Sequence, residues 1–172
     1  MKYSTKKLTI LAFFTTLALI LYWVESLLPT LVPIPGIKLG LANIITLIIL
    51  KNFSLREAFP VLLIRIIIAT FLFGQFVSLF YSLAGGIFCL LAMALILWIL
   101  QGHFLFLISI FGALFHNLGQ LVVALILTKS LAVLTYLPFF ILSAVVTGLF
   151  IGLCAHFVQK YLGIFLHTQS FQ

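Results

Sequence analysis

Aspartate is absent from this 172-residue sequence, and Glu25 and Glu57 are its only acids. Enzymes that act on diphosphates hold magnesium against the substrate phosphates with several carboxylates. Two glutamates, one of them beside Arg56, do not make such a cluster. The chain also lacks a Gly-x-x-x-x-Gly-Lys-[Ser/Thr] loop, which excludes ATP hydrolysis by that route. Cysteine is limited to Cys89 and Cys154. Both lie in apolar runs, as small core residues do, and they suggest neither a disulfide framework nor a metal site. His103, His116 and His156 stand too far apart to suggest zinc or haem, so no cofactor is expected. Charge is scarce as well: 6 % of residues are charged, against roughly 25 % in soluble domains.

What is present is apolar. Hydrophobic residues make up 65 % of the chain and the mean hydropathy is +1.41. Such a chain cannot cover a water-facing surface, so it reads as an integral membrane protein forming a single transmembrane domain over residues 1–172. The formal charge of +7 does not point to nucleic acid, because the basic residues are scattered at the ends of apolar segments. The first segment follows Lys6-Lys7 and reads as a retained signal-anchor helix, since it lacks a small-residue cleavage site.

Six spans are expected, at about 8–28, 37–51, 57–73, 76–100, 104–128 and 131–159. A crossing helix needs roughly 20 apolar residues. The second span is short and reads equally as a re-entrant or partly unwound element. The break between the third and fourth falls either at Gly74-Gln75 or at Ala84-Gly85-Gly86. With six crossings Lys2, Lys6, Lys7, Lys51, Arg56 and Lys160 share one side, against Lys38 and Lys129 on the other. That asymmetry predicts cytoplasmic amino and carboxyl termini. Between the first two spans, Pro29, Pro33, Pro35 and Gly36 prevent a continuous helix. This loop reads either as a lid on the outer side or as a plain connector. Gly148-x-x-x-Gly152 is a small-x-x-x-small pattern, expected to serve packing within the chain.

The few polar residues at membrane depth carry the functional signal. A guanidinium there costs roughly 2.5–3.5 kcal/mol on insertion scales, and Arg65 lies in an apolar run from Ala58 to Leu100. His116 and Gln120, four apart, share a helical face; Asn117 is rotated away by about 100°. Gly112 and Gly119 thin the same helix. An imidazole and two amides suit a polar organic ligand, or else hydrogen bonds that hold the bundle together. Arg65 either pairs with Glu25 or grips a substrate carboxylate or phosphate through its planar fork. Lys38, beside the proline-rich loop, is placed to meet an anion at the outer mouth.

The stretch Ile34-Pro35-Gly36-Ile37-Lys38-Leu39-Gly40-Leu41-Ala42-Asn43-Ile44-Ile45-Thr46-Leu47 resembles the hallmark of a small membrane family called Gx transporters, also labelled heptaprenyl diphosphate synthase component I. Glu25-Ser26-Leu27-Leu28-Pro29, Arg65, Tyr81 to Gly86, and His116-Asn117-Leu118-Gly119-Gln120 extend the resemblance over nearly the whole chain. That family is similar to the substrate-binding S-components of energy-coupling factor (ECF) vitamin transporters. The resemblance implies an all-α, six-helix bundle of the S-component type in a bacterial cytoplasmic membrane. It also implies a transmembrane coupling subunit and ATPases as partners. One motif departs: many S-components dock through Ala-x-x-x-Ala in the first helix, whereas here Ala12 is followed four residues on by Thr16.

These readings give one leading expectation and two alternatives. The leading one is capture of a small organic molecule from outside (vitamin-like, flavin or isoprenoid) by Glu25, Lys38, Asn43, Arg65, His116, Asn117 and Gln120. The first alternative is a non-catalytic membrane component of heptaprenyl diphosphate synthesis. The second is a flavin- or quinone-linked electron-transfer partner.

Overall fold

A computed structural model describes residues 5–27, 40–73 and 76–169, with side chains described as far as Tyr161. Lys38, the Pro29–Gly36 loop and Gly74-Gln75 lie outside the described residues. The described chain is all-helical, with no strand, as lipid requires: a spanning backbone must satisfy its own amides and carbonyls. Six α-helices follow in order: α1 (Thr5–Ser26), α2 (Asn43–Asn52), α3 (Leu55–Phe73), α4 (Phe76–Ile99), α5 (Leu105–Thr128) and α6 (Leu137–Gln169). A short 3-10 segment, Leu131–Tyr136, leads into α6. Four stretches are long and apolar enough to cross a membrane: α1, α4, α5, and Leu131–Tyr161. The helix α3 carries Arg56, Glu57 and Arg65 and is not among them.

The helix bounds decide between the open readings of the second, third and fourth spans and shift the bounds of the sixth. The second span starts as a helix only at Asn43 and has 10 residues, about 15 Å. That is half of a hydrocarbon core of roughly 30 Å. Ala84-Gly85-Gly86 lie within continuous α4, so the break between the third and fourth spans does not fall there. The sixth span begins as 3-10 rather than α-helix, and its helix runs on past 159 to Gln169.

Contacts at one end of the bundle show how the helices alternate. Lys7 at the start of α1 donates to Glu57 at the start of α3, 2.5 Å away, and its ammonium lies 5.8 Å from the Phe53 ring. Lys51 at the end of α2 donates to the Gly102 carbonyl between α4 and α5, at 2.7 Å. The half-helix α2 therefore ends at the end of the bundle where α1 begins. At the same end, Phe106 of α5 stacks on His156 of α6 at 5.9 Å. Lys6, Lys7, Lys51, Arg56 and Lys160 thus share one end of the bundle.

The half-length α2 is the centre of the molecule. All residues from Asn43 to Leu50 are buried, and α1, α3, α4 and α6 pack around it. The α4–α5–α6 side is drawn tight by glycines. A Cβ on Gly119 would stand 2.6 Å from the Ala84 carbonyl oxygen of α4. One on Gly148 would stand 2.6 Å from Ile110 Cα, and one on Gly152 2.8 Å from Phe106 Cα. The Gly148-x-x-x-Gly152 pattern is therefore used within the chain, where α6 meets α5.

A buried polar centre at the start of the half-helix

Rise along the helices places three of the singled-out residues at one depth. Counting from the shared end, Asn43 is eight residues from Lys51, Arg65 ten from Leu55 and His116 eleven from Leu105. At 1.5 Å per residue these are all about 12–17 Å deep, near the middle of an apolar slab. Asn43 is 1 %, Gln120 1 %, His116 4 % and Arg65 5 % exposed.

The turn that leads into α2 needs acceptors for its own amides at this depth. Glu25 of α1 supplies them. Its two carboxylate oxygens accept the amide protons of Gly40 at 2.5 Å and Leu41 at 2.9 Å. Gly40 adopts φ +83°, a left-handed conformation that a glycine takes without strain. The turn then closes with Asn43 N donating to Gly40 O at 2.9 Å and Ile44 N to Leu41 O at 3.1 Å. No side chain would fit at position 40 in any case: a Cβ would stand 2.6 Å from Asn43 Nδ2 and 3.1 Å from the His116 ring.

His116 is held between three elements. Asn43 Nδ2 lies 3.3 Å from Nδ1, and Gln120 Nε2 lies 3.0 Å from Nε2. The Gly85 backbone of α4 is a further partner of the ring, and a Cβ on Gly85 would stand 2.9 Å from Nδ1. A neutral imidazole offers one donor and one acceptor. One of the two flanking amides therefore donates to the ring and the other accepts the ring N–H through its oxygen. That leaves one amide oxygen, of Asn43 or Gln120, and Arg65 Nε buried without a hydrogen-bond partner.

Arg65 has neighbours but no close counter-ion. Among the described residues no carboxylate comes within ion-pair distance of it. Glu25, Tyr22, Cys89 and His116 lie within its electrostatic reach. Tyr22 in turn shares a hydrogen bond with Ser78 of α4, 3.2 Å apart. The structure thus gathers Glu25, Asn43, Arg65, His116 and Gln120 around the start of α2.

Asn117 is not part of that gathering. Its Nδ2 donates to the Phe140 carbonyl at 2.8 Å and to Ser143 Oγ at 3.0 Å, both on α6, so it ties α5 to α6. Lys38 lies outside the described residues. Tyr22, Ser78, Gly40 and Gly85 belong to the centre and escaped a reading of the sequence that looked for charged and amide side chains. The signal for the two glycines was present in Gly40-Leu-Ala-Asn43 and Tyr81 to Gly86, but only packing assigns them to the two sides of one imidazole. No group of three or more His, Cys or acidic side chains among the described residues is arranged to hold a metal ion.

A bundle of apolar helices, four of them able to cross a bilayer, around a half-helix with polar groups at mid-depth, defines a polytopic membrane protein. The chain belongs to the family described as heptaprenyl diphosphate synthase component I, whose sequence profile matches residues 14–158. No curated protein and no solved structure matches the chain.

Proposed function

We propose that this chain is a non-catalytic membrane component of a polyprenyl diphosphate synthase. The observation that carries this reading is the family match over residues 14–158, under the description heptaprenyl diphosphate synthase component I. The composition says which part it plays. With no aspartate and with both glutamates engaged, Glu25 on backbone amides and Glu57 on Lys7 and Ser54, the chain has no carboxylates left to hold magnesium on a diphosphate. The metal-dependent step belongs to a second, carboxylate-rich subunit, which this component would seat at the bilayer where the lengthening isoprenoid must reside.

The end bearing Lys6, Lys7, Lys51, Arg56 and Lys160 would face the cytoplasm, in keeping with the positive-inside rule, and is where such a subunit would meet it. The test is to tag the chain, extract it in mild detergent and assay polyprenyl product from isopentenyl and allylic diphosphates with magnesium. Product should form only with a co-purified prenyltransferase subunit. Activity of the isolated chain, or a deletion strain with unchanged polyprenyl chain lengths, would overturn the reading.

A second reading has a specific observation in its favour. Arg65 Nε and one amide oxygen beside His116 are buried without a hydrogen-bond partner, each at a cost of roughly 1–3 kcal/mol that a bound small molecule would offset. This supports the capture of a small organic molecule, as in S-components, at the start of α2. Half-helix termini at the midplane serve that purpose in membrane transporters. Mass spectrometry of whatever remains bound after gentle purification tests it: recovery of a stoichiometric small molecule is expected, and lipid alone would count against it.

A further inference from the structure

The helix α6 is longer than the bundle it belongs to. Gly152 packs on the Phe106 backbone and His156 stacks on the Phe106 ring, and α5 itself begins beside them, at Leu105. The helix α6 therefore passes the end of α5 near His156. It continues as helix to Gln169, roughly 20 Å further at 1.5 Å per residue. The other helices turn at this end: α1 and α3 start here, and α2 and α4 finish here. The Lys7–Glu57 and Lys51–Gly102 contacts tie these turns together. Among the described residues, no second helix accompanies the α6 extension beyond them.

The extension is not dressed for water. Phe157 is 53 % and Tyr161 68 % exposed. Four residues apart, they share one face of the helix, and the sequence repeats an aromatic at the same interval at Phe165. Lys160 is exposed and, three residues from Phe157, borders that face. A helix of this length owes most of its stability to the packing of its apolar face, so the extension needs a cover.

Two observations select the cover. First, α6 is unbroken from Leu137 to Gln169. A helix that lies along a bilayer surface must first bend away from its crossing direction, which takes a break in the helix. The unbroken extension leads away from lipid instead. Second, the end is basic. Lys6, Lys51, Arg56 and Lys160 are exposed there, while the acid at this end, Glu57, is buried against Lys7 and Ser54. A second copy of the chain would set like charges side by side. A partner with acidic side chains would offset them.

Resting on the reading of this chain as a component of a polyprenyl diphosphate synthase, we propose that the α6 extension is the docking arm for the catalytic subunit, which covers it with an apolar groove rimmed by acidic side chains. The arm lays Phe157 and Tyr161 into the groove, as amphipathic helices do. Lys160 and the cations at the foot of the arm meet the acidic rim, which sets orientation and the rate of encounter.

The test uses the full-length tagged chain in mild detergent and measures the prenyltransferase activity that elutes with it, from isopentenyl and allylic diphosphates with magnesium. All the positions changed are exposed, and each variant should elute as wild type does. Phe157→Ser combined with Tyr161→Ser should lose at least about tenfold of the co-eluting activity. Lys160→Glu should lose several-fold at low salt and less at high salt. Lys129→Glu, beyond the other end of α5, should match wild type. Full activity in both arm variants would overturn the inference while leaving the synthase reading in place. No activity with the wild-type chain would overturn that reading and the inference with it. A wild-type dimer that the double variant dissolves would assign the arm to a second copy. Quenching of a fluorescent label at Tyr161→Cys by brominated phosphatidylglycerol would assign it to the bilayer surface. Either result overturns the inference.

Discussion

The Glu25 carboxylate accepts the amide proton of Gly40 at 2.5 Å, joining the far part of α1 to the turn that starts α2. An acid in a lipid-facing segment would be costly, but here it accepts from the Gly40 and Leu41 amides of the turn that leads into the half-helix. The same carboxylate stands near Arg65 without closing on it, so its charge is shared between the backbone and a longer-range attraction.

Removing that carboxylate tests the arrangement. Glu25→Ala strands the Gly40 and Leu41 amides, each at a cost of about 1–3 kcal/mol, and should lower the thermal unfolding midpoint in detergent well below wild type. Glu25→Gln keeps an acceptor oxygen and should fall between the two. If the alanine variant melted with wild type, the start of α2 would not depend on Glu25.

The glycines of α5 should differ in their tolerance of a methyl group. At Gly119 the new Cβ meets the Ala84 backbone at 2.6 Å, which moves only if α4 moves. At Gly112 it meets the flexible end of Met93, at 2.4 Å. Gly119→Ala should therefore cost about 1–3 kcal/mol or more, and Gly112→Ala clearly less. The order of their unfolding midpoints is the check, and a reversed order would contradict the close approach of α4 and α5.

Asn117 and Gln120 should separate structure from binding. Asn117→Leu removes two bonds to α6 and should lower stability by about 1–2 kcal/mol, with recovery of any co-purifying small molecule unchanged in the folded fraction. Gln120→Leu should reduce that recovery. Loss of the co-purifying molecule from a well-folded Asn117→Leu protein would place Asn117 in the site after all.

The Lys7–Glu57 pair, with Lys7 about one-third exposed, should contribute modestly despite its 2.5 Å separation. A double-mutant cycle with Lys7→Met and Glu57→Gln should give a coupling of roughly 0.2–1 kcal/mol, shrinking with added salt. A larger, salt-independent coupling would mean that this end is sealed from water.

Much of the fold was legible because lipid permits few solutions. Apolar runs of crossing length around Ala18, Leu90, Ala113 and Ile151 had to be helices, and most of the basic residues at their ends gather at one end of the bundle. The exception was instructive. The run from Ile37 to Lys51 left open whether it crosses as one span or is partly unwound, and among the described residues its helix starts at Asn43, after a left-handed turn at Gly40 whose amide is held by Glu25 of another helix. A local pattern does not contain that partner.

The site divides in the same way. Arg65, Asn43, His116 and Gln120 were recognisable singly, since polar groups at bilayer depth are expensive wherever they occur. Neighbours in sequence nonetheless parted: His116 turns towards α2 and α4, while Asn117 turns to α6 and serves packing. The side that each residue faces is set by helix rotation and by which carbonyls stand opposite. Composition alone determined that this chain is a membrane protein, because so few charges exist to cover a surface facing water. Which polar groups meet, and which are left unsatisfied, was decided by tertiary packing, because hydrogen bonds reach only about 3 Å and only the folded bundle brings residues 73 apart in sequence, Asn43 and His116, within that distance.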